Sequence, residues 1–164
     1  MEDLFKKAVN KTVKEKRFKI NGDARAKKPK EFSLEKNKMI PVRWKVVEHQ
    51  KNGVFQWDPK KISLFVPEEQ ESDSVSSKKL KEIFKEKNVN VLNSNLLFFL
   101  EKHQELIPED WRNKAIIFWG TIYEAKGNRF YVLSLKWQID RYAIDYMWVN
   151  WFFNKDEPSA ILVN

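Results

Sequence analysis

Residues 114–153 read KAIIFWGTIYEAKGNRFYVLSLKWQIDRYAIDYMWVNWFF, and this stretch decides the fold class. It contains three long runs rich in β-branched and aromatic residues, at 114–123, 129–139 and 142–153. The polar links between the runs, AKGN and QIDR, are short and favour turns. Strand-like runs joined in this way predict an antiparallel three-stranded meander.

The second run has a clear apolar face. Ser134, Lys136 and Gln138 point to one side of an extended chain, and the other side is apolar. The apolar positions are Tyr131, Leu133, Leu135, Trp137 and Ile139. Because an antiparallel sheet commonly covers one face and leaves the other solvated, we expect the apolar face to pack on helices and the opposite face to be wetter.

The third run carries aromatic residues on both faces, which is unusual for a sheet that is covered on one side only. Tyr142, Tyr146 and Trp148 share one of these faces. A strand that is apolar on both faces is either covered on both sides or exposes an apolar patch. We therefore take Tyr142, Tyr146 and Trp148 as a candidate partner-binding patch.

Two helices and a hairpin are predicted upstream of the meander. Ser76 or Ser77 can cap a helix over 78–87, and Asn93 or Ser94 can cap a helix over 94–103. The Asn52-Gly53 dipeptide, between strand-like stretches at 39–48 and 54–57, predicts a hairpin turn. Pro108 can start a further helical turn that carries Trp111. The predicted fold is α+β: an antiparallel sheet, built from the C-terminal meander and the N-terminal hairpin, packed against two helices.

Positive charge is concentrated in the first quarter of the chain. Residues 1–40 hold thirteen Lys/Arg against six Asp/Glu, whereas residues 41–164 hold eighteen against seventeen, within a total net charge of +8. We expect residues 1–38 to form a basic arm, helical over 2–17 and otherwise exposed, and residues 39–164 to form a single domain. Since phosphate backbones attract such arms, the following are candidate nucleic-acid contacts: Lys6, Lys7, Lys11, Lys14, Arg17, Lys19, Arg25, Lys27, Lys28 and Lys30.

Composition excludes several classes of protein. The chain has no cysteine, so a disulfide scaffold, a thiolate metal site and a thiol nucleophile are ruled out. No apolar run at the N-terminus could serve as a signal peptide, and the longest apolar stretches are too short to span a bilayer. We expect a cytoplasmic protein with no membrane partner, no metal site and no cofactor.

One pattern mimics a nuclease. Glu109-Asp110, followed by Glu124 and Lys126 after an apolar run, roughly reproduces the paired carboxylates and lysine of metal-dependent nucleases. Asp110 is explained more naturally as part of the first turn of a helix, and Glu124 and Lys126 as solubilising charges at a hairpin end. The two histidines, His49 and His103, are far apart in sequence, and we expect both on the surface.

Four blocks in the C-terminal two thirds carry a resemblance. They are VLNSNLLFFL at 91–100, LIPEDWRNK at 106–114, FWGTIYEAKG at 118–127 and PSAILVN at 158–164. In this order they resemble blocks of a family of short uncharacterised bacterial proteins that occur in many copies in genomes of uncultivated lineages. The similarity covers residues 62–164. It implies a bacterial origin and a recurring C-terminal module, and it carries no functional residue to this chain.

Three functional hypotheses follow from these observations. The favoured one is a non-enzymatic binding module whose partner is nucleic acid, bound through the basic N-terminal arm. The alternative is a protein-interaction factor, such as an inhibitor or accessory protein of phage or mobile-element type, that uses the aromatic sheet surface. A divalent-dependent nuclease comes third, since no set of titratable residues converges at a recognisable spacing.

Overall fold

A computed structural model describes residues 18–29, 44–125 and 127–164, and within these ranges the fold is α+β. Short 3-10 turns at Pro59–Lys61, Gln104–Leu106 and Glu109–Trp111 connect the longer elements. In chain order the strands and helices are β1 (Lys19–Asn21), β2 (Lys45–His49), β3 (Val54–Gln56), β4 (Ile62–Phe65), α1 (Glu68–Ser72), β5 (Val75–Ser76), α2 (Ser77–Glu86), α3 (Ser94–Lys102), β6 (Ala115–Ala125), β7 (Arg129–Gln138), β8 (Arg141–Trp148), β9 (Phe152–Phe153) and β10 (Ser159–Leu162).

The predicted meander is confirmed and forms one half of the main sheet. β6, β7 and β8 pair antiparallel in sequence order. The other edge of β6 is shared between two strands: β10 pairs with its first half in parallel, and β2 pairs antiparallel with its second half. β4 then pairs with β10. A register shift between Phe118 and Ile122 marks the point where β6 changes partner.

Both predicted helices are confirmed close to their expected ends. α2 starts after Ser76, whose hydroxyl accepts a hydrogen bond from the Lys79 amide at 3.2 Å. α3 starts after Asn93, whose side-chain oxygen accepts from the Asn95 amide at 3.0 Å. The predicted turn at Pro108 is present as the 3-10 turn Glu109–Trp111. Local capping chemistry therefore sets where these elements begin.

The expectation of one covered face and one wetter face is wrong. α3 packs with Phe118 and Leu133 on one side of the sheet, whereas α2 packs with Trp119 and Val132 on the other. Even Ser134, on the face expected to be wetter, is only 1% exposed. Each helix covers its own face of the sheet, so β6 and β7 run through the middle of three layers.

The predicted N-terminal hairpin does not form. β2 pairs with β6, and β3 pairs with β1, so the two strands that flank Asn52-Gly53 are not partners. Gly53 has the positive φ (+76°) of a turn, as expected, but Asn52 is buried and its amide binds the backbone around Val91. A turn therefore forms at Asn52-Gly53, but the long-range contacts of Asn52, and not the turn itself, determine which strands pair.

The predicted boundary at residue 38 also needs correction. Residues 18–29, assigned to an exposed arm, lie against the domain: Ile20 in β1 is 3% exposed, and Pro29 is buried. Asn93 donates from its buried amide to the Gly22 carbonyl at 2.7 Å, which fixes this segment against the start of α3. The predicted helix over 2–17 and residues 30–38 of the arm lie outside the described residues.

Candidate anion-binding cavity

A cavity of about 670 Å³ opens between the 24–29 segment, α3 and β8. Most of the charged side chains that line it are positive. Four cationic side chains from three parts of the chain face one carboxylate, that of Glu101, which leaves a net charge of +3. The remaining wall is mainly apolar and includes Phe98 and Ile144. The four cations are Lys27, Lys28, Lys102 and Arg141.

The wall that carries Lys27 and Lys28 is held by buried polar groups on the domain. The Tyr123 hydroxyl donates to the Lys27 carbonyl at 2.7 Å, and its oxygen lies 2.8 Å from the Ser94 hydroxyl. Since the Tyr123 proton is directed at Lys27, Ser94 donates to Tyr123. The pKa of Tyr123 is raised to about 12, chiefly by burial, and the hydrogen bond from Ser94 opposes the rise.

His49 gives this wall a second anchor, and its predicted surface position is therefore wrong. Its Nε2 lies 2.9 Å from the Ala24 carbonyl and its Nδ1 lies 2.8 Å from the Thr121 hydroxyl. A carbonyl only accepts, so Nε2 carries the proton, and in the neutral ring Nδ1 accepts from Thr121. Asn95 also donates to the Ala24 carbonyl, at 2.9 Å. His103 is half-buried too, in contact with Phe18.

The opposite wall is fixed by the side-chain amide of Gln104, which bonds to the backbone of β8 as a neighbouring strand would. Gln104 donates to the Tyr142 carbonyl and accepts from the Tyr142 amide, both at 2.9 Å. This pair of bonds ties the end of α3 to β8, and Lys102, in the last turn of α3, lines the same cavity as Arg141 at the first position of β8. Ile139, expected in the sheet, instead occupies the β7–β8 turn with φ +55° and is 99% exposed.

The four cations are available to a ligand. All four are exposed, and within the described parts of the chain none has a carboxylate oxygen within ion-pair distance. Lys102 also complements the partial negative charge at the end of α3. A cavity in which lysine and arginine side chains outnumber the carboxylates favours an anion, and arginine in particular can bind two phosphate oxygens at once.

The structure brings part of the predicted basic set into this cavity. Lys27 and Lys28 line it, whereas Lys19 and Arg25 are exposed elsewhere on the same segment. Lys102 and Arg141 were missed, because each lies alone in its own stretch of sequence and no short motif marks it. The other predicted cations lie outside the described residues: Lys6, Lys7, Lys11, Lys14, Arg17 and Lys30.

The predicted aromatic patch is wrong in its first member. Tyr142 is 4% exposed, with its ring 5.1 Å from that of Trp137, and this burial raises its pKa while the Arg112 guanidinium opposes the rise. Tyr146 is half-buried against Trp44, which covers this end of the face. Trp148 is exposed, as expected.

Two further exposed aromatic residues follow Trp148: Trp151 lies in the turn between β8 and β9, and Phe152 is the first residue of β9. Trp151 is 57% exposed and Phe152 is 60% exposed. Sequence alternation missed them because β8 ends at Trp148, where the turn breaks the period of two. Exposed aromatic area therefore gathers at the end of the meander and not along its face.

The residues of the nuclease-like pattern are not brought together. Asp110 precedes the start of β6 and Glu124 lies near its end. A strand of that length separates its two ends by about 30 Å. Lys126 lies outside the described residues, and across the ranges that are described no group of His, Asp and Glu side chains could hold a metal ion.

Comparisons with protein-family models, with curated proteins and with solved structures find no significant match to this chain. In the part of the chain that the structure covers, no helix combines the length and the apolar character needed to cross a membrane.

Proposed function

We propose that this chain is a non-enzymatic nucleic-acid-binding module, and that its phosphate contacts centre on the cationic cavity. The observation that carries the proposal is the convergence of Lys27, Lys28, Lys102 and Arg141 around one opening that holds a single carboxylate. Electrostatic attraction to phosphate supplies most of the affinity of non-specific nucleic-acid binding. A cytoplasmic location belongs to the same proposal.

The anchoring of the cavity walls supports a binding role over a role in solubility. Lysines that only solubilise a protein need no fixed position. Here the backbone that carries Lys27 and Lys28 is held through the carbonyls of Ala24 and Lys27 by buried or half-buried side chains. Because this backbone is already held in place, it loses little conformational entropy when its lysines contact a ligand, which strengthens binding.

The test is a titration of labelled oligonucleotides, followed by fluorescence anisotropy. With four phosphate contacts to a single strand, affinity should fall about 50-fold between about 50 mM and about 200 mM salt. The double variant Lys102→Glu/Arg141→Glu should weaken binding by at least about tenfold at the lower salt concentration. Binding that is independent of salt would contradict the proposal.

A matched control separates the cavity from overall charge. Lys78 and Lys79 are exposed on α2, which covers the opposite face of the sheet. The variant Lys78→Glu/Lys79→Glu changes the net charge by the same amount and should reduce affinity far less than the cavity variant. Equal losses in the two variants would mean that the cavity is not the contact.

A second function is favoured by a different observation. Trp148, Trp151 and Phe152 expose large aromatic area at the end of the meander, and exposed tryptophan is enriched at protein interfaces. A protein-interaction factor would bind through this region. Its binding would be insensitive to salt and would be lost in Trp151→Ser/Phe152→Ser. Nucleic-acid binding through the cavity would instead weaken with salt and would persist in that variant.

A further inference from the structure

We infer that the cavity accepts an unpaired nucleotide, so that the chain prefers single-stranded nucleic acid to duplex. This inference rests on the proposed function and adds to it the class of ligand. The cavity volume of about 670 Å³ lies within the range of about 300–1,000 Å³ that is typical of sites for drug-sized ligands. A nucleotide belongs to that size class.

The shape of the site discriminates between paired and unpaired strands. The cations line a concave opening whose walls are the 24–29 segment, α3 and β8. A duplex presents its phosphates on the convex outside of a stiff rod, and its bases are stacked inside. An unpaired nucleotide turns freely about its backbone, so its base and its phosphate can enter a cavity together.

The chemistry of the walls matches both parts of a nucleotide. The lysines and Arg141 are suited to the phosphate. Phe98, on the face of α3 that lines the cavity, is half-buried and still presents part of its ring to the opening. Single-strand binding sites combine these two features, a positively charged groove and an aromatic ring on which a base stacks.

The test compares competitors against a labelled single strand of about 15 nucleotides bound to the full chain at low salt. The competitors are the unlabelled strand, a closed hairpin duplex without unpaired ends, and a mononucleotide. We expect the strand to compete at least about tenfold better than the duplex. If a mononucleotide competes at a concentration similar to that of the strand, the cavity does bind a nucleotide, and the ligand is a free nucleotide and not one within a strand.

The contribution of Phe98 is tested by Phe98→Leu, which keeps an apolar side chain in the core and removes the ring. This variant should weaken single-strand binding by about fivefold to tenfold and leave duplex binding unchanged. Phe65→Leu, a half-buried aromatic substitution in β4 that lies outside the cavity, is the matched control and should leave both affinities unchanged.

The outcomes separate this inference from the proposed function. Equal affinity for strand and duplex, with Phe98→Leu indistinguishable from the unmodified chain, overturns the inference and leaves the proposed function standing. Failure to bind either form at low salt overturns both.

Discussion

Tyr123 links the core of the domain to the wall of the cavity. Its ring packs on Trp44 in the core, with the ring centroids 6.1 Å apart, and its hydroxyl binds the Lys27 carbonyl. The side chain is fully buried, so the phenolate form would lose hydration and would also lose the proton that it donates to Lys27. Both effects favour the neutral form, and its hydrogen bonds stabilise the folded chain only while it stays neutral.

The pKa of Tyr123 predicts a loss of stability at high pH. Folding raises this pKa from 10.0 to about 12, so its contribution is fully present below pH 10 and is lost as the pH rises toward 12. The size of the loss is about 3 kcal/mol. The test is urea unfolding of the unmodified chain and of Tyr123→Phe at several pH values. The difference between their unfolding free energies should change by about 3 kcal/mol between pH 10 and pH 12. A difference that stays constant with pH would refute the assignment.

Between elements, the segment that leads into α3 packs closely against the backbone of β6 at Gly120. A Cβ atom at Gly120 in β6 would lie 2.6 Å from the Asn93 amide nitrogen and 2.7 Å from the Leu92 carbonyl carbon. Both neighbours are backbone atoms, so no side chain can rotate away. The Gly120 amide also donates to the Leu92 carbonyl at 3.0 Å, which holds the two elements at this distance.

Gly120→Ala should therefore cost about 3 kcal/mol of folding stability, because the backbone of α3's N-terminal segment must move. Gly127→Ala is the comparison: it has φ +91° and open space around the added atom, so only local strain of about 1 kcal/mol is expected. Urea unfolding measures both. The explanation fails if Gly127→Ala is the more destabilising of the two.

At this scale the sequence predicts elements better than it predicts their partners. The helix starts were predictable because Ser76 and Asn93 cap through local hydrogen bonds. The meander was predictable because its strands are neighbours in the chain. The pairing of β2 with β6 was not, since the local turn signal at Asn52-Gly53 says nothing about the buried contacts that Asn52 makes about forty residues away.

For the molecule as a whole, the end of the basic segment does not coincide with the start of the folded domain. The basic first quarter contains both cavity lysines and a strand that the domain needs: β1 pairs with β3, and Ile20 is buried. Lys27 and Lys28 could be proposed from the run of charge alone. Lys102 and Arg141 could not, because only the packing of α3 against the sheet places them at the same cavity.

Removal of the first 37 residues should destabilise the fold and not only weaken binding. A chain that begins at Lys38 lacks β1 and the carbonyls that accept from Asn93 and Tyr123. The loss of one buried isoleucine and these hydrogen bonds should lower the unfolding free energy by more than about 3 kcal/mol. Thermal unfolding against a chain that begins at Phe18, which retains these contacts, measures the effect. If the two chains unfold at the same temperature, residues 18–29 are not needed for the stability of the domain.

The bonds between Gln104 and Tyr142 have a consequence for self-association. Among the described strands β8 lies at one end of the main sheet, and the backbone of an end strand can pair with a strand of another molecule. At Tyr142 both backbone groups on that edge are already occupied by a side-chain amide, which forms the same two bonds as a neighbouring strand and cannot be extended into one. A strand of another molecule would have to displace Gln104 before it could pair with β8 at Tyr142, so the contacts that shape the cavity also limit edge-to-edge pairing at this position.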